Sequence, residues 1–155
     1  EEILFFICIP FSCVFTFFCL DKFYKLGWKD KTEKNFVIIL FMALVIMGIF
    51  FGDRLYTSIT FITTAFVCFF LKFIFHVEWF GKAISVYAIL LIPFLIVNGI
   101  LTGSGIEQPV VIYNKTEIMN IRLFTIPIED VFYGLELFLL NLAGYKLLLK
   151  NTKIK

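Results

Sequence analysis

The stretch Ala83-Ile84-Ser85-Val86-Tyr87-Ala88-Ile89-Leu90-Leu91-Ile92-Pro93-Phe94-Leu95-Ile96-Val97-Asn98-Gly99-Ile100-Leu101 carries no charge over 19 residues. As a helix it would be roughly 28 Å long, close to the ~30 Å thickness of bilayer hydrocarbon. Four more apolar runs flank it: Ile3 to Leu20, Phe36 to Phe51, Leu55 to Phe75 and Ile128 to Leu149. Pro10 and Pro93 lie inside two of the five and predict kinks there. The Phe36 to Phe51 run is short, which predicts little tilt or local thinning of the bilayer. The whole chain of 155 residues is 61% hydrophobic and 17% charged. Its mean hydropathy of +0.95 lies far outside the range of soluble domains. The expected fold is all-α, a polytopic transmembrane bundle of about five spans. A net charge of only +2 gives no basis for nucleic-acid binding.

The connections set the direction of the helices. Lys22, Lys25, Lys29, Lys31 and Lys34 lie between the first two runs, Lys72 and Lys82 between the third and fourth, and Lys146, Lys150, Lys153 and Lys155 at the end. These 11 fall on one side; Arg54, Lys115 and Arg122 make only 3 on the other. Basic residues stay on the cytoplasmic side. The first and fifth runs therefore both begin outside. The first opens with two acids rather than a basic region, unlike a cleavable leader.

Those two runs open alike. Glu1-Glu2-Ile3-Leu4-Phe5 is matched, 128 residues on, by Glu129-Asp130-Val131-Phe132-Tyr133. Four crossings separate the copies, so the pattern predicts a parallel internal repeat with a shared site between the halves. A carboxylate at the edge of hydrocarbon is costly unless paired or protonated, which suits it to proton transfer. The plainer explanation is that the acids cap helix N-termini, where the dipole favours negative charge. The repetition, and Pro127 before the second pair, favour a site. On the fifth helix Glu129, Tyr133 and Glu136 share a face, with Asp130 one step round. Glu136 is either a third site acid or the partner of a polar group across the bundle. The connection Thr102 to Pro127 is the longest, and its apolar content predicts a lid lying over the site.

Several chemistries lack their residues. Gly103-Ser104-Gly105 has no third glycine, and no phosphate loop is present. Asp21, Asp30, Asp53 and Asp130 are scattered, which weighs against magnesium-dependent prenyl transfer. Cys8, Cys13, Cys19 and Cys68 show no metal spacing, and His76, beside Glu78 and Trp79, reads as a headgroup contact. No metal or cofactor is expected. No lysine sits in mid-span for a retinal Schiff base; Lys146 is near the inner end of its run. What remains is Brønsted acid in an aromatic, hydrocarbon-like setting, suited to protonating an alkene and sheltering the resulting cation. Phe5, Phe132, Tyr133 and Asn98 are the side chains expected to line the cavity. The competing class is a non-catalytic polytopic protein or small transporter whose acids form a relay.

The acidic motifs resemble those of the lycopene cyclase domain family, small integral-membrane carotenoid cyclases marked by Pro-x-Glu-Glu/Asp in each of two repeated units. Pro127-Ile128-Glu129-Asp130 matches in full, and Glu1-Glu2 matches the end of the other copy. Val97 to Gly103, Pro109 to Asn114 and Arg122 to Gly134 are similar to the family as well. The resemblance implies a cofactor-free isomerisation closing the linear ends of lycopene into β-ionone rings. It implies acid and base roles for Glu129, Asp130, Glu1 and Glu2. It also implies a carotenoid substrate in the bilayer, with other carotenoid enzymes as candidate partners. Two-unit members carry about two helices before the first motif, so the chain reads as a C-terminal portion. Residues 1–155 would be a single membrane domain: 1–20 ending the first unit, 36–51 a linker helix and 55–155 the second unit.

Overall fold

A computed structural model describes residues 2–24, 26–105 and 108–152, with side chains over 7–24, 26–105 and 108–150. Glu1 lies outside the described residues, as do the side chains of Glu2 and Phe5. The chain forms helices α1 (Glu2–Phe23), α2 (Asp30–Phe50), α3 (Leu55–Phe69), α4 (Phe80–Leu101) and α5 (Glu129–Thr152). A π-helical turn, Phe70–Ile74, continues α3, and two short strands, β1 (Arg122–Leu123) and β2 (Ile126–Pro127), pair antiparallel before α5. Among the described residues, four segments are long and apolar enough to cross a membrane: Asp30–Phe50, Leu55–Ile74, Phe80–Leu101 and Glu129–Lys150. The protein is an all-α, membrane-embedded bundle.

The second helix corrects the sequence boundaries. It starts at Asp30 rather than Phe36 and runs for 21 residues, so it is not short. Its first turn contains charges that read as loop, yet Asp30 and Glu33 are favourably placed against the positive end of the helix dipole. Glu33 is buried, salt-bridged to Lys72, and its Oε1 accepts the Gly81 N–H at 3.1 Å. Asp30 reaches the same ammonium at 3.0 Å. A lysine and a glutamate are excluded from water here only because each supplies the other's charge. The fourth helix likewise begins three residues before the expected Ala83, at Phe80.

α5 packs against α1, α3 and α4, and α2 forms a hairpin with α3. Gly48 permits that hairpin: a Cβ there would lie 2.8 Å from Ile62 and 3.3 Å from the Ser58 carbonyl. Phe17, Phe80, Val86, Tyr87, Phe138 and Leu139 belong to the main buried cluster. Ile39, Phe50, Ile92 and Leu147 remain exposed on the outside, as a lipid-facing surface requires. The basic ends gather together. Lys82 bonds Asp21 at 2.6 Å, and Lys146 stands over the rings of Phe17, Phe18 and Trp79. The starts of α3 and α5 lie together at the opposite end, joined by bonds between Tyr56 and Asp130 and between Thr57 and Glu129.

Candidate active site at the head of the fifth helix

α3 and α5 run parallel, and a polar seam fixes their register. Thr57 Oγ1 donates to Glu129 Oε1 at 2.5 Å, and Thr64 Oγ1 donates to Glu136 Oε2 at 3.1 Å. Both pairs are 72 residues apart in sequence, so the same alignment recurs one heptad further into the bundle. Thr63 adds a second donor to Glu136 Oε2 at 2.8 Å. Glu136 thus pairs with polar groups across the bundle, one of the two roles its mid-helix position suggested.

Glu129 is fully buried. Its Oε1 also takes the Met119 N–H at 2.6 Å, while Oε2 is buried with no hydrogen-bond partner among the described residues. Asp130, also buried, accepts one tyrosine hydroxyl on each oxygen: Tyr56 at 2.7 Å and Tyr113 at 2.6 Å. Among the described residues neither carboxyl takes an N–H from the first turn of its own helix, so their partners are not those of a simple cap. Burial, reinforced by the adjacent Asp130 carboxylate, holds the Tyr113 phenol well above the usual tyrosine range.

The long connection supplies half of these contacts. Arg54 donates to the Ile118 carbonyl, and the Leu55 N–H reaches Glu117 Oε2 at 3.2 Å, tying the segment over the head of α3. Tyr113 and Met119 then reach the acids from above. Further along, Thr125 Oγ1 lies 2.7 Å from that of Thr102 and 2.8 Å from Ser104 Oγ, closing the segment onto the end of α4.

Beside the acids lies a groove of about 600 Å³ between α3, α5 and this connection. Tyr56, Tyr113, Tyr133, Thr60, Thr63 and Glu136 line it, with Ile59 and Ile112 among its apolar walls. Glu129 and Asp130 do not line it; Asp130 meets it through the two tyrosines. Of the side chains expected at the cavity, Tyr133 faces the groove. Phe132 packs edge-on against Phe61 with ring centroids 5.2 Å apart. Asn98 sits on α4, its carbonyl accepting from Thr102 at 2.8 Å, and it does not line the groove.

A family model described as lycopene cyclase matches residues 53–148. The chain belongs to the lycopene cyclase family. No curated protein and no solved structure matches it. The matched span contains α3, α4, the connection and nearly all of α5, and therefore every residue of the polar seam and the groove. A lycopene cyclase works on a carotenoid, so this is a carotenoid cyclase held in a lipid bilayer. Tyr56, Thr57, Thr63, Thr64 and Tyr113 were not singled out from the sequence. One signal was available: Thr57 and Thr64 repeat the seven-residue spacing of Glu129 and Glu136.

Proposed function

We propose that the chain closes the linear ends of lycopene into β-ionone rings, with the Glu129–Asp130 pair as proton source and the α3/α5 groove as the seat of the end group. One arrangement carries this reading: both oxygens of Asp130 are held by tyrosine hydroxyls, and both tyrosines line the groove. Adjacent carboxyls share a proton readily, because two charges side by side repel. When the pair carries a proton, a tyrosine hydroxyl that turns from Asp130 into the groove can relay it, its oxygen taking the carboxyl proton as its own proton passes to the alkene. The proton adds to the terminal alkene and leaves a tertiary cation. The next alkene attacks it, the ring bond forms, and the charge moves to the far ring carbon. Loss of the proton at the ring junction gives the β ring. No electron is gained or lost, so no oxidant or reductant is needed.

A hydrocarbon offers nothing charged to grip, so affinity comes from burial at about 25 cal/mol per Å². The faces of Tyr56, Tyr113 and Tyr133 supply electron-rich walls for the cation. Glu1 and Glu2 take the matching role, as their motif implies. The lysine asymmetry supports a place for both acidic motifs at the non-cytoplasmic face.

The test is pigment composition in lycopene-accumulating cells expressing the full-length protein. Glu129→Gln and Asp130→Asn should leave lycopene uncyclised at normal membrane levels of the protein. Combining Tyr56→Phe with Tyr113→Phe should slow conversion by roughly 100- to 1,000-fold or more, since one strong catalytic hydrogen bond is worth about that much. Full β-carotene formation by Glu129→Gln would overturn the assignment.

A further inference from the structure

Glu136 is the carboxyl on α5 that the groove itself exposes. It sits seven residues beyond Glu129, roughly 10 Å deeper along the helix axis. Thr63 and Thr64, its partners, lie eight and nine residues into α3, which puts both sides of the contact at a similar depth. A carboxyl on a membrane helix is costly unless something compensates. Here the compensation is one-sided. Both threonines donate to Oε2, and among the described residues no hydrogen bond reaches Oε1. The side chain is half-buried and lines the groove beside Tyr133 and Thr60.

The acid pair and Glu136 therefore bracket the groove along the membrane normal. The pair acts at the outer end through Tyr56 and Tyr113, and Glu136 stands at the inner end. Ring closure has the same polarity. A proton arrives at one carbon, positive charge develops across the ring, and another proton leaves from a different carbon. Building on the cyclase assignment above, we propose that Glu136 is the second carboxylate of the reaction: it faces the cationic ring from the inner side and accepts the proton lost on closure, and so selects the ring type. Three protons compete for loss. Removing the one at the ring junction gives a β ring, the one on the ring methylene an ε ring, and one from the methyl group a γ ring. A fixed base decides among them by reach, because proton transfer needs hydrogen-bond-like approach. Glu136 gives its proton up to solvent that enters the groove once product leaves, and the acid pair regains one from solvent, so a turnover consumes none.

The competing role is plain interhelical adhesion, and the two separate cleanly. Gln at 136 still accepts both threonine hydroxyls, keeping the adhesion while removing the base. In lycopene-producing cells carrying the full-length protein, Glu136→Gln should keep wild-type membrane levels. It should lower total cyclised product at least 10-fold, or divert the remainder from β to γ or ε rings. Glu136→Asp, which withdraws the carboxylate by one methylene, should retain turnover with an altered ring ratio. Unchanged yield and an unchanged ring ratio in both variants would overturn the proposal. If wild-type protein cyclises lycopene and Glu129→Gln does not, while both Glu136 variants match wild type, this inference alone fails. If wild-type protein leaves lycopene untouched, the cyclase assignment fails with it.

Discussion

Gly81, one residue into α4, stands against the buried Glu33, and adding a single methyl there tests what holds the basic end of the bundle. A Cβ at Gly81 would collide with Glu33 Oε1 and lie 3.0 Å from Cβ and Cγ of Trp28. The carboxylate has nowhere to yield, since Oε2 is engaged by Lys72 and Oε1 by the Gly81 N–H. Displacing it leaves Lys72, 5% exposed, with only the rim carboxylate of Asp30. Breaking a buried pair costs about 3–5 kcal/mol. Alanine's better helix propensity offsets up to about 1 kcal/mol of that. Gly81→Ala should therefore destabilise the protein by about 2–4 kcal/mol, roughly 30- to 1,000-fold in the folded-to-unfolded ratio. Denaturant titration of protein in mixed micelles gives the measurement. A double-mutant cycle with Glu33→Ala assigns the cause: with the carboxylate gone only the contact with Trp28 is left to the methyl, and Gly81→Ala should then cost clearly less than it does in the wild-type background. An equal cost in both backgrounds, or wild-type stability for Gly81→Ala alone, would refute the reasoning.

Thr57→Val keeps shape and removes one of the two donors to Glu129; cyclisation should fall about 10- to 100-fold, in line with a lost hydrogen bond to a charged or partly charged group, and wild-type pigment yield would contradict it. Tyr113, raised above the usual range, should show no phenolate near about pH 10, where an ordinary tyrosine ionises. Because the unfolded chain loses that proton first, the contribution to stability is full below about pH 10 and is lost as pH rises beyond it. Difference absorbance between wild type and Tyr113→Phe reads this directly, and a phenolate midpoint near 10 in the folded protein would count against it. Cysteine labelling of oriented vesicles, with Thr116→Cys and Lys31→Cys in a background lacking native cysteines, should mark the two from opposite sides; labelling of both from one side would exclude the orientation drawn from the lysines.

The bundle was legible because each span announces itself locally: a charge-free run such as 83–101 needs no partner to be recognised. The start of α2 was not legible for the opposite reason. Glu33 is admitted to a helix in the membrane by Lys72, 39 residues away, and nothing near it in sequence announces that partner. The site divides in the same way. Glu129 and Asp130 stand out as acids at the mouth of an apolar helix. Thr57 and Thr64 do not, because threonine is unremarkable in a span until the facing helix is known. Asn98, on α4, is not among the residues that line the groove between α3 and α5, because that groove is walled by α3, α5 and the connection before α5.

The π-helical turn at Phe70–Ile74 closes the helical segment that α3 begins, and the two parts answer to different neighbours. Its Phe75 N–H bonds the Phe70 carbonyl, five residues back at 2.9 Å, where an α-helix would reach four. One surplus residue advances the chain by about 100° round the axis. In α3 itself, Thr57 and Thr64 are phased to the acids of α5; within the π turn, Lys72 is phased to the head of α2. Removing a single residue from 70–74 would restore the common α-helical period and swing Lys72 out of step with Glu33, while the threonine face kept its place. The surplus residue works as a phase shifter: it lets one helix be cut to two patterns, so the chemistry at its outer end and the charge matching at its inner end are free to change independently.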